Sequence, residues 1–302
     1  MTNPARRGML FGALGVAIFA MTLPMTRLAV GDASAPELPP AFVTAGRAAI
    51  AGLLSVVWLL VVRAPLPARR HWRALAVSAA GTVIGFPLFL SLALRRVDAM
   101  HAAVITGVLP LATAVAGAFA LRQRPSAGFW ACAVGGCALV LAFAAWAGSG
   151  TLGTADGLLL LAVISASIAY VAGAQVASVL PAEQVICWVL VIALPFSLPA
   201  ALALWPAQTA RWASWGGFAY VSLFSMWIGF FAWYRGLALG GVVRVSQVQL
   251  LQPFLSLLFA VPILGERLEP VTVGFALAVI AVVFLGRRMP VSTPRLAGAL
   301  KT

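Results

Sequence analysis

LALRRVDAMHAAVITGVLPLATAVAG (residues 92–117) and LALGGVVRVSQVQLLQPFLSLLFAVP (residues 237–262) are two versions of one text in a single chain. Setting Pro110 against Pro253 pairs Ala103 with Ser246, Thr106 with Gln249 and Thr113 with Ser256. Along either copy these positions advance by three, four and three residues, which keeps them on one side of a 3.6-residue helix. A lone Ser or Thr in an apolar helix usually bonds its own backbone or a neighbouring helix. A matched polar and proline stripe in both copies points instead to a shared lumen.

The chain around these copies is 63% hydrophobic and 9% charged, whereas soluble domains carry about 25% charged residues. About 20 apolar residues span a bilayer as a helix. Runs of roughly that length occur at 9–30, 39–62, 73–94, 99–121, 126–146, 157–179, 185–205, 213–239, 243–264 and 270–286. They lack strand-like alternation, which favours helices over a barrel. A Gly-rich link at 148–153 separates a first repeat, 1–149, from a second, 150–302. Five spans per half is odd, so the second half must thread the bilayer upside down. The expected fold is an all-α integral membrane protein of ten transmembrane helices in two inverted five-helix repeats.

The net charge of +13 invites a nucleic-acid reading, but its distribution does not. With the N-terminus in the cytoplasm, Arg6, Arg7, Arg63, Arg69, Arg70, Arg73, Arg122, Arg124, Arg244, Arg287, Arg288, Arg295 and Lys301 all fall on the inner side. Only Arg95, Arg96, Arg211 and Arg267 fall outside. That asymmetry is the positive-inside rule. It predicts a multi-pass membrane protein with both termini cytoplasmic, partnered by lipid and not by nucleic acid; a bacterial inner membrane and a monomeric state are separate expectations. Arg6-Arg7, an apolar run and Ala33-Ser34-Ala35 imitate a signal peptide. The run is too long for a signal core of about 7–15 residues, and Pro36 would be the first mature residue, so it is kept as helix 1. Trp72, Trp146, Trp205, Trp212 and Trp215 mark span ends, where an indole bridges acyl chain and headgroup. Cys132, Cys137 and Cys187 sit inside spans without metal-ligand spacing.

Weaker pairings extend the repeat. Thr22 falls opposite Ser167 and Met25 opposite Tyr170, while Thr82 matches Trp227 and Phe89 matches Tyr234. Pro24 removes a backbone donor from helix 1 and frees a carbonyl, as at broken transporter helices or a plain packing kink. All seven carboxylates lie at span ends or in connections, which argues against a mid-membrane proton relay. His101 stands one turn after Asp98 as a candidate for gating or proton coupling, or as a simple helix-end residue. Arg47 lies about nine residues into its run, roughly 13 Å deep at about 1.5 Å per residue. A charge there costs about 2.5–3.5 kcal/mol and needs a partner, either a substrate carboxylate or backbone carbonyls and loop acids. There is no phosphate loop, Cys/His metal set or Ser-His-acid constellation, so neither cofactor nor catalytic residue is expected.

The chain resembles the drug/metabolite transporter superfamily in its ten-helix EamA-type branch. The residues that carry the likeness are Phe231-Ala232-Trp233-Tyr234-Arg235-Gly236-Leu237-Ala238-Leu239, Leu250-Leu251-Gln252-Pro253 and Leu264-Gly265-Glu266-Arg267-Leu268. Leu92-Ala93-Leu94, Ala102-Ala103, Leu109-Pro110 and Arg47 continue it in the first half. Phe19 stands where the family usually has Trp, and Arg122-Gln123-Arg124 replaces the Gly-Glu turn in the first repeat. The resemblance implies export of small metabolites, with YddG-type amino-acid exporters as the nearest kind.

Taken together, the residues predict alternating access through a cavity lined by helices 1, 3, 4, 6, 8 and 9. The candidate substrate-binding residues are Thr22, Thr82, His101, Thr106, Ser167, Tyr170, Trp227, Tyr234, Ser246 and Gln249. Amino acids, aromatic ones included, are the expected substrates. A multidrug or quaternary-ammonium exporter is the alternative, and an integral-membrane enzyme the alternative from a different class.

Overall fold

The computed structural model describes residues 4–120, 124–147, 153–177, 179–240, 248, 251–289 and 291–292. Eight helices are long and apolar enough to cross a membrane: α1 (Arg6–Val30), α2 (Pro40–Val61), α3 (Arg69–Leu94), α4 (Ala99–Ala120), α5 (Ala127–Trp146), α6 (Thr154–Ala177), α7 (Glu183–Ala203) and α8 (Trp212–Gly236). Two shorter apolar helices, α9 (Gln252–Leu264) and α10 (Pro270–Gly286), complete the ten. The sequence predicts a ninth span from 243. The described helix begins at Gln252 with Pro253 in its first turn, where a missing N–H costs nothing.

Packing follows the repeat. The contacts between the repeats include α1 with α8, α3 with α6, α2 with α7, α4 with α9 and α5 with α10. Exchanging each helix for its counterpart in the other half turns the α1–α8 contact into α6–α3 and leaves the other three unchanged, as a pseudo-two-fold requires. The partners run antiparallel. Gly12, Ile18 and Ala29 of α1 meet Gly236, Gly229 and Gly217 of α8 in reverse order, and Ser78 and Gly85 of α3 meet Gly173 and Ser165 of α6. In lipid there is little hydrophobic drive between helices, so close approach of small residues supplies the packing. Gly236 sits against Gly8 and Gly12, and a Cβ on it would fall 2.5 Å from the Gly12 nitrogen.

Four helices are interrupted at the centre, and one of them, α4, breaks at Gly107–Val108 between Thr106 and Leu109. α1 breaks at Met21, three residues before Pro24. α3 and α8 each contain a π-helical stretch, Ala79–Gly85 and Val221–Ile228. The two stretches occupy overlapping positions in the repeat, and such wider turns are frequent at functional sites.

The ends of the molecule are tied across the repeats. Arg124–Pro125, after α4, pairs with Val291–Ser292, beyond α10. At the opposite end of α4 the Glu266 carboxylate accepts the backbone N–H groups of Ala99 at 2.7 Å and Met100 at 2.9 Å. It thereby caps four orphan donors in part and faces the positive end of the helix dipole. Gly265, at φ 70°, supplies the left-handed turn that ends α9 and aims Glu266 there. Burial pushes the Glu266 carboxyl above its usual range against the pull of those two N–H groups. Glu37 joins Arg211 of the other repeat through the Arg211 backbone N–H at 2.9 Å and its guanidinium.

Candidate functional site

The interruptions converge on one cavity of about 350 Å³ between the halves. At about 30 Å³ per water it would hold roughly ten waters, the space of a small metabolite. Its wall draws on α1 (Phe19, Thr22, Leu23), α3 (Thr82, Phe86, Pro87, Leu90), α4 (Thr106, Pro110, Thr113), α6 (Tyr170), α8 (Ser225, Met226, Phe230) and α9 (Gln252, Pro253, Ser256). These are the six helices that the sequence predicts. α2 joins them through Arg47.

Three hydroxyls on the wall have a definite donor state. Thr106 donates its hydroxyl hydrogen to the carbonyl of Ala102 at 2.7 Å, and Thr113 donates to Leu109 at 2.9 Å. Ser256 donates to the carbonyl of Ala20 at 2.8 Å. Ala20 is the residue four before Pro24, so its carbonyl is the one that proline leaves without an intrahelical donor. A side chain of the second repeat therefore completes the broken helix of the first. With their hydrogens committed, these three hydroxyls offer only lone pairs to a ligand.

A cationic donor reaches the wall from α2. Arg47, 3% exposed, donates from Nη2 to Ser225 Oγ at 3.0 Å. Ser225 Oγ also lies 2.8 Å from Thr22 Oγ1, so α1, α2 and α8 share one polar chain. Among the described residues lining the cavity there is no carboxylate.

Of the predicted site residues, Thr22, Thr82, Thr106 and Tyr170 line this cavity. Tyr234 lines a small adjoining recess of about 10 Å³ that shares Thr82, Tyr170 and Phe230 with it. Ser167 is buried and donates to its own helix at Val163. His101 is not on the wall; its Nε2 meets Asp156 Oδ1 at 2.7 Å across the repeats, and its ring packs on Phe143. Trp227 points away from the lumen and packs against Phe231, beside α2 and α7. Ser246 and Gln249 lie outside the described residues. Sequence reading leaves out Ser225 and does not count Arg47 among the site residues, although it names a substrate carboxylate as one of two partners for that buried charge.

The model of the EamA-like transporter family matches the chain twice, over residues 6–152 and 153–287. The chain is 44% identical over 291 residues to a Bacillus subtilis (strain 168) protein described as uncharacterized transporter YdeK, covering 95% of this chain and 99% of that one. A protein known from a crystal structure superimposes with a TM-score of 0.62 over 93% of this chain and 96% of its own at 19% identity, which shows a shared fold.

Proposed function

The chain belongs to the EamA-like transporter family, a family of membrane transporters rather than enzymes, and from that premise we propose that it exports amino acids, aromatic ones included, by alternating access. The observation that carries this reading is the polarity of the cavity wall. Thr106, Thr113 and Ser256 present acceptors on the α4/α9 side, suited to an ammonium group. Phe19, Phe86 and Phe230 supply apolar faces for a side chain. A quaternary-ammonium exporter would gain from a carboxylate on the wall, and the described lining has none.

Transport follows from the pairing of helices. The same cavity is bounded by both repeats, and rocking one against the other exposes it to alternate sides. The broken α1 and the π turns of α3 and α8 are the places where the walls can bend. In this reading the protein sits in a bacterial inner membrane with both termini cytoplasmic, as the basic connections direct.

The test is uptake by the purified protein in proteoliposomes, comparing labelled amino acids with cationic dyes, with and without a pH gradient. Saturable movement of amino acids and none of the dyes is expected. Movement of dyes alone would overturn the substrate reading.

A further inference from the structure

We infer that Arg47 is the group that grips the substrate's carboxylate, a role that rests on reading the cavity as the substrate path. A guanidinium carries five N–H donors. Among the described residues, Arg47 places one bond, from Nη2 to Ser225, while its buried Nε and Nη1 have no partner. Nη2 bears two hydrogens, one on the Nε side and one on the Nη1 side. Whichever of them Ser225 takes, one complete two-donor edge of the fork stays open. Such an edge matches the two oxygens of a carboxylate.

Other arginines of the same molecule show what a structural arginine does here. Arg27 donates to the carbonyls of Leu94 and Val97, and Arg95 to those of Val30, Glu37 and Leu38. Both donate to backbone carbonyls, and Arg27 also pairs with Asp32 at 3.8 Å and Asp98 at 3.7 Å. Arg47 is more deeply buried and commits almost none of its donors, although an unpaired buried charge is among the costliest things a fold can hold. Nε and Nη1 are sealed from solvent, so the fork turns toward the lumen as the ligand arrives, with Ser225 as its remaining contact. The acceptor hydroxyls of the α4/α9 side then meet the ligand's donor end. The class of ligand is a small molecule with one carboxylate and, on its far side, a hydrogen-bond donor.

The test is ligand binding to the full-length purified protein, read by thermal shift and titration calorimetry. The probes are L-phenylalanine, 3-phenylpropionate (carboxylate without amine), 2-phenylethylamine (amine without carboxylate), chloride and phosphate. Phenylalanine and phenylpropionate are expected to bind, and phenylethylamine to bind about 100-fold more weakly or not at all. Arg47→Gln should remove that preference and Arg47→Lys should keep part of it. Equal binding of phenylethylamine, undiminished phenylalanine binding by Arg47→Gln, a response to chloride or phosphate alone, or no carboxylate binding by the folded wild type each overturns the inference. Arg47-dependent binding of phenylpropionate without phenylalanine would instead sink the amino-acid reading and leave this one standing. Should Arg47→Gln fail to fold, the ligand series on the unaltered protein and Arg47→Lys decide.

Discussion

Ser256 and Pro24 should be energetically coupled although they lie in different repeats. Proline at 24 cannot donate to the carbonyl of Ala20, and the Ser256 hydroxyl, 2.8 Å away and 1% exposed as a residue, takes the missing donor's place. Ser256→Ala strands a buried carbonyl. Unsatisfied buried acceptors cost about 1–3 kcal/mol, and interhelical hydrogen bonds in membrane proteins average about 0.6 and reach about 1.7 kcal/mol. A loss of about 1–2 kcal/mol is therefore expected, a factor of about 5–30 in the unfolding equilibrium. Pro24→Ala returns an N–H to position 24, which can bond Ala20 along the helix. In that background Ser256→Ala should cost less than about 0.5 kcal/mol. Reversible unfolding in mixed micelles of the two single variants and the double variant measures the difference. Equal cost in both backgrounds would refute the assignment of Ser256 as the substitute donor.

Gly236→Ala should lower stability by about 1–3 kcal/mol, seen as a reduced melting temperature, because its Cβ would overlap the Gly12 nitrogen. Tyr170→Ala should impair transport while leaving membrane insertion and yield intact, since Tyr170 faces the cavity; full activity would remove it from the wall. Burial raises the Glu37 carboxyl, but the Arg211 N–H, the Arg211 guanidinium and the Ser214 hydroxyl outweigh it and hold it below its usual value of 4.5. A depressed acid stabilises the fold above the unfolded-state pKa and loses that contribution as pH falls through the folded one. Melting temperature should thus fall on acidification below that usual value, modestly because Arg211 is exposed, and Arg211→Gln should flatten the dependence.

The ten helices are legible in the sequence because membrane length and apolarity are local properties. The polar stripe is legible for a similar reason: Thr106, Thr113 and Ser256 keep helical spacing, and all three reach the lumen. Trp227 shows where periodicity stops working. It lies within the π-helical stretch Val221–Ile228, whose wider turn adds a residue and rotates the faces. Ser225 and Met226 meet the cavity there, and Trp227 turns toward α2 and α7. The depth of Arg47 is readable from its distance along the run. Its shortage of partners is not, because that depends on how α2 meets α8 across the repeats. His101 reads as a site residue until Asp156, 55 positions away, is seen to occupy its imidazole.

The most direct test of the central claim, a single inter-repeat cavity open to each side in turn, is cysteine accessibility at Thr106. With Cys132, Cys137 and Cys187 replaced, Thr106→Cys is exposed to a membrane-impermeant thiol reagent in right-side-out and in inverted vesicles. The account predicts labelling from both faces, with substrate slowing both. Labelling from neither face, or from one face only regardless of substrate, would contradict it.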